Sequence, residues 1–126
     1  MRIVDRAALA LSGLDGDRSR AGKRALTLFQ DEHLDIIGAY LGRDAPAPET
    51  LRRNLHVSGL NLSAFRGARL RLGAALVEIT GPCAPCSRME QALGPGGYNA
   101  LRGHGGWCAT VLEPGRIALG DPVLRA

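Results

Sequence analysis

Ala68-Arg69-Leu70-Arg71-Leu72-Gly73-Ala74, followed by Ala75-Leu76-Val77-Glu78-Ile79-Thr80 and then by Gly81-Pro82-Cys83-Ala84-Pro85-Cys86-Ser87-Arg88-Met89, sets the fold class. Arg69 and Arg71 alternate with Leu70 and Leu72, the period-two pattern of a strand with one buried face. Gly73 marks a turn, and Ala75 to Thr80 reads as a half-buried strand or hairpin partner. Ser87 to Leu93 reads as a short helix closed by Gly94-Pro95-Gly96-Gly97. The junction therefore carries two thiols, Cys83 and Cys86, at C-x2-C spacing between a strand and a helix. A thiol in the first turn of a helix meets backbone N–H groups and the positive end of the dipole, which favours the thiolate; Arg88 pushes the same way.

Outward from this segment, the signals are mainly of strand. Arg24 to Phe29, Asn54 to Val57, Trp107 to Leu112 and Ile117 to Leu119 read as further short strands, with Glu113-Pro114-Gly115-Arg116 as a turn. One sizeable helix is predicted over Asp31 to Leu41, with apolar Leu34, Ile37 and Leu41 at helical spacing and Gly42 to close it. Ala45-Pro46-Ala47-Pro48 is a stiff loop, with one helical turn expected over 49–52, and residues 11–18 are expected to hold little regular structure. The fold class is mainly β: a small β-barrel of about six to seven strands with a few short helices. No repeat, low-complexity stretch or linker divides residues 1–126, which read as a single domain.

Composition narrows the function classes. At 126 residues the chain can build a core without disulfides or a structural metal, so a metal here would be functional. Aromatic residues are 4% of the chain, so Leu, Val, Ile and Ala must make that core. No stretch approaches the roughly 20 apolar residues of a membrane span, and the start lacks the apolar region of a signal peptide, so the cytoplasm is the expected location. The formal charge of +4 includes fifteen Arg and one Lys, Lys23. Arginine forks suit phosphate or carboxylate on a small anion, although GC-rich coding gives the same bias. Scattered arginines without interleaved aromatics argue against nucleic acid as a partner.

The cysteines admit several chemistries. Cys83, Cys86, His104 and Cys108 form C-x2-C-x17-H-x3-C, four soft ligands for tetrahedral zinc, so a non-enzymatic zinc-binding or small-molecule-binding β-barrel module is one reading. Against it, Cys108 sits in an apolar strand pattern where a cysteine is ordinarily a small core residue, and His104 sits between glycines in a loop. A thioredoxin-like pair lacks its βαβ setting. Plain packing of both Cys83 and Cys86 also fits the spacing.

Further segments add a family likeness. Gly16-Asp17-Arg18, Arg52-Arg53-Asn54-Leu55 with Ser58-Gly59, Pro85-Cys86-Ser87-Arg88-Met89, Gly106-Trp107, Val111-Leu112-Glu113-Pro114-Gly115 and Gly120-Asp121 occur in the order of the MOSC domain, which the chain resembles from about residue 11 to 123. That domain is the C-terminal part of molybdenum cofactor sulfurases and also stands alone in small bacterial proteins. The resemblance implies a barrel of the pyruvate-kinase-barrel kind that binds the pterin-based molybdenum cofactor. Cys86 matches the position that ligates molybdenum or carries sulfur as a persulfide. Asp17, Arg18, Arg53, Asn54 and Arg88 are the matching candidates for holding the anionic pterin. Implied activities are oxo transfer on N-hydroxylated substrates, fed by an external reductase, or sulfur delivery for metal–sulfur clusters, fed by a cysteine desulfurase; pyridoxal phosphate is a further family association. Ser19 stands where relatives commonly have His, and with fifteen residues before Gly16 the first barrel strand is expected to be short or drawn from Met1 to Leu11.

Overall fold

The computed structural model describes residues 6–11, 13–14, 22, 25–51, 53–83 and 87–126. Nine strands are found there: β1 (Arg6–Ala10), β2 (Gly13–Leu14), β3 (Leu26–Gln30), β4 (Leu55–Val57), β5 (Arg69–Leu72), β6 (Ala75–Pro82), β7 (Trp107–Glu113), β8 (Gly115–Ala118) and β9 (Val123–Arg125). Three helices join them: α1 (His33–Leu41), α2 (Ser87–Leu93) and α3 (Gly97–Ala100). The alternation in β5 is realised directly, with Leu70 and Leu72 buried and Arg69 exposed, and β5 pairs with β6 as the expected antiparallel hairpin.

Six strands form one sheet in the order β4-β3-β7-β6-β5-β9, curled into a half-barrel, while β2-β1-β8 form a second, smaller sheet. Leu9 of β1 and Ile117 of β8 join Leu26, Leu28, Val77, Ile79 and Val111 in one aliphatic core, so the smaller sheet covers the inside of the larger. β1 is thus the expected N-terminal barrel strand. Residues 13–14 are more ordered than their turn-rich sequence suggests, because Gly13 and Leu14 pair with Ala10 and Leu9. Residues 15–18 lie outside the described segments.

β3 and β4 run parallel, and the connection between them supplies α1. A Schellman pair closes α1: Gly42 N donates to Ala39 O at 3.1 Å and Arg43 N to Gly38 O at 3.0 Å. Phe29 points from the opposite face of β3 into a second core with Ile37, Leu51, Leu93, Ala100 and Leu101, which attaches all three helices.

Where a β7–β8 turn was expected, the chain turns a corner instead. β8 pairs with β1, so Pro114 carries the strand from the larger sheet into the smaller. A Cβ on Gly115 would lie 2.5 Å from the backbone oxygen of Ala74, so this corner requires glycine for close approach. The strand β9 and helix α3 were not anticipated. β9 is an edge strand held by β5, and α3 is held by Glu90, which accepts from Tyr98 N at 2.8 Å and Gly96 N at 3.1 Å. Gly115→Ala should therefore lower unfolding free energy by about 2 kcal/mol without changing the fold, measured by urea denaturation. A neutral effect would mean that the corner has slack.

Candidate functional site

The sheet register brings distant motif segments to one place. Leu28 of β3 lies opposite Leu55 of β4 on one side and Trp107 of β7 on the other, and Trp107 in turn faces Pro82 at the end of β6. The segments carrying Arg53, Gly105-Gly106 and Cys83 therefore converge at the end of β6. Two backbone approaches fix the convergence. Cys83 N donates to Gly106 O at 2.9 Å. Gly106 has φ +100°, and a Cβ there would fall 2.6 Å from Leu28 O, so only glycine lets the loop lie against β3.

Arg53 crosses to this loop. Its Nε donates to Gly105 O at 2.7 Å, which commits one of the three guanidinium nitrogens to the backbone. A Cβ on Gly105 would lie 3.2 Å from Cys83 O and 3.8 Å from Arg53 Nη2, placing the cation and Cys83 about the same peptide. Sequence reasoning missed a second cation here. Arg66 Nη2 would be 3.9 Å from a Cβ on Gly81, at the end of β6.

Asn54, the other described candidate, is engaged differently. Its Oδ1 accepts from Thr27 N at 2.9 Å and from Thr27 Oγ1 at 3.1 Å, while its own N–H donates to Thr27 Oγ1 at 2.9 Å. These bonds clasp the start of β4 to β3 and so hold the neighbouring Arg53 in place. Thr27 carried no signal in the sequence, since its role depends on register. Asp17, Arg18 and Cys86 lie outside the described residues; Arg88 is placed in the first turn of α2.

Two members of the C-x2-C-x17-H-x3-C set come together. Cys83 and Cys108 are both buried, and their Sγ atoms are 3.1 Å apart. His104, the remaining described member of the proposed zinc set, turns elsewhere. Its ring packs edge-on against His33 at 5.0 Å and lies 5.7 Å from Tyr40. Among the described residues no group of three His, Cys, Asp or Glu could hold a metal ion. His104 Nδ1 is buried with no hydrogen-bond partner in the described structure. Burial holds His33 below the usual histidine range, His104 reinforces the shift, and Glu32 opposes it.

Residues 15–124 match the family described as MOSC domain, and the chain belongs to that family. It is 28% identical to protein YiiM of Escherichia coli K12 over 88% of its own length and 55% of YiiM, so it spans little more than half of that relative. The crystal structure of YiiM from Escherichia coli superposes with TM-score 0.80 at 27% identity, over 98% of this chain and 63% of the other. The YUAD protein of Bacillus subtilis shares the fold, with TM-score 0.81 at 21% identity over 95% of this chain and 84% of its own. Among the described residues no helix is long and apolar enough to cross a membrane.

Two outcomes follow for the site. Arg53→Met should cost about 1–2 kcal/mol in urea unfolding, because Gly105 O loses a charged donor; an unchanged midpoint would mean water replaces it fully. His33 resists protonation in the fold, so its neutral form stabilises the protein above its unfolded pKa, and that contribution is lost as pH falls through the lower folded value. Thermal stability of the wild type should then decline more between about pH 7 and about pH 5 than that of His33→Gln, and parallel curves would refute the assignment.

Proposed function

We propose that this protein binds the pterin-based molybdenum cofactor, with Cys86 as the sulfur ligand to molybdenum or as a persulfide carrier. The observation that supports the reading is the convergence of Arg53, Gly105-Gly106 and Cys83 at the end of β6, three residues before Cys86 in the sequence. The donor set fits such a group. Thiol sulfur is a soft ligand for a high-valent metal, and a guanidinium anchored by its Nε presents its other nitrogens to a phosphate.

When bound, the cofactor supplies the two-electron oxo-transfer chemistry that no side chain provides. The chain's own residues bind and orient. Arg53 fixes the anionic end, the Thr27–Asn54 clasp keeps Arg53 in register, and Gly105-Gly106 keep the loop close enough to β3 for Arg53 to reach it. Arg18, Asp17 and Arg88 complete the anion-binding set in this reading. The substrate class is an N-hydroxylated compound reduced with electrons from an external reductase; sulfur delivery from a cysteine desulfurase is the activity that uses Cys86 as a persulfide instead. Pyridoxal phosphate suits the chain less well, since its Schiff base needs a lysine and Lys23 is the only one.

Expression in a cofactor-producing host should yield about one molybdenum and one fluorescent pterin per chain. Cys86→Ser should abolish molybdenum retention or persulfide formation with the fold intact, whereas Cys108→Ser should act mainly on stability. Equal loss from both variants, or one zinc per chain that disappears in His104→Ala, overturns the reading.

A further inference from the structure

We infer that Cys83 and Cys108 are an oxidisable pair that closes to a reversible disulfide between the ends of β6 and β7. Among the described residues, the Sγ atoms of Cys83 and Cys108 lie 3.1 Å apart. A disulfide bond is about 2.05 Å long, so bonding needs an approach of about 1 Å, within the range of small side-chain rotations.

Both cysteines are buried, but outside the two large apolar clusters. Alternation along β7 sends Ala109 and Val111 into the larger core and turns Cys108 to the opposite face, where its neighbour across the sheet is Thr27. On the other edge of β7, the register shift between Ile79 and Gly81 sets Gly81, which has no side chain, opposite Cys108. Cys83, two residues beyond Gly81, leans across toward Cys108, with its backbone fixed by the N–H bond to Gly106 O. Arg53 and the Cys83 carbonyl both pack against Gly105. Cys83 and Cys108 are buried, so a small oxidant reaches them more readily than a bulky one.

Hydrogen peroxide is that oxidant. The sulfur of Cys83 attacks one peroxide oxygen, the S–O bond forms as O–O breaks, and water leaves, giving a sulfenic acid. Cys108 sulfur then attacks Cys83 sulfur, the S–S bond forms, and the S–O bond breaks to release a second water. Two thiols lose two electrons and two protons, and one peroxide becomes two waters. A small thiol reverses the step by exchange. The bond encloses residues 84–107, so it ties the two ends of the segment that carries Cys86, α2, α3 and Gly105-Gly106, while Cys86 itself is not consumed. The inference does not depend on which cofactor Cys86 serves.

The test uses the full chain, purified reduced, treated with hydrogen peroxide, alkylated in denaturant and mapped by peptide mass spectrometry. A Cys83–Cys108 cross-linked peptide should appear in the wild type and in Cys86→Ser. Oxidation should also raise the Tm of Cys86→Ser by roughly 10 °C, reversibly with dithiothreitol, and leave that of Cys108→Ser unraised. A Cys83–Cys86 link in place of Cys83–Cys108, or full alkylation of Cys83 and Cys108 after treatment, overturns the inference. The wild-type map decides the matter even if Cys108→Ser fails to fold.

Discussion

Strand β3 has no exposed face, and the rest of the molecule is arranged around satisfying it. Leu26 and Leu28 are fully buried in the aliphatic core of the half-barrel, and Phe29, on the other side, is fully buried among the helices. Both edges are also occupied, by β4 in parallel and β7 in antiparallel pairing. A five-residue strand with this pattern cannot slip, because a shift of one residue would exchange Phe29 for a leucine in a core built for the other. That fixed register determines where Arg53 and Gly105-Gly106 meet. The site is thus a consequence of β3 packing rather than an addition to it.

The polar contacts near the site divide along the same line. Asn54 and Thr27 exchange three hydrogen bonds across the β3–β4 boundary, a closed arrangement that extends the parallel ladder by one residue. Arg53, one residue earlier, makes its backbone bond in the other direction, to a loop. Adjacent residues of one motif therefore do different work: one secures the strand pair, the other spans the gap between strand and loop.

Elements whose pattern was local were legible in the sequence. The β5–β6 hairpin followed from alternating Arg and Leu, and α1 from Leu34, Ile37 and Leu41 with Gly42, although its first turn begins at His33 because Asp31 and Glu32 form the turn before it. Elements created by tertiary partners were not. Val123-Leu124-Arg125 is too short to carry a period and becomes a strand only because β5 has an open edge. Gly97-Tyr98-Asn99-Ala100 has weak helix propensity and is fixed by the Glu90 carboxylate, whose pKa those N–H bonds, from Tyr98 first and then Gly96, lower. At the candidate site, the Arg53–Gly105 and Cys83–Cys108 contacts join residues 52 and 25 apart and depend on sheet register, including the shift between Ile79 and Gly81, which no local pattern contains.

Charge gives the same distinction between a solvated face and a site. Much of the arginine surplus is spent on the surface: Arg69 lies 3.7 Å from Glu78, Arg71 3.2 Å from Glu113, and Arg102 and Arg125 lie over Tyr98 and Phe65. Exposed pairs of this kind stabilise little, since solvent screens them. Arg53 differs in being half-buried and held by a carbonyl rather than a carboxylate, so its positive charge is not neutralised by the bond that positions it. A cation that is fixed, partly desolvated and still uncompensated attracts an anion far more strongly than a paired one. What sets Arg53 apart is thus its fixed, partly buried placement, which the arginine count does not contain.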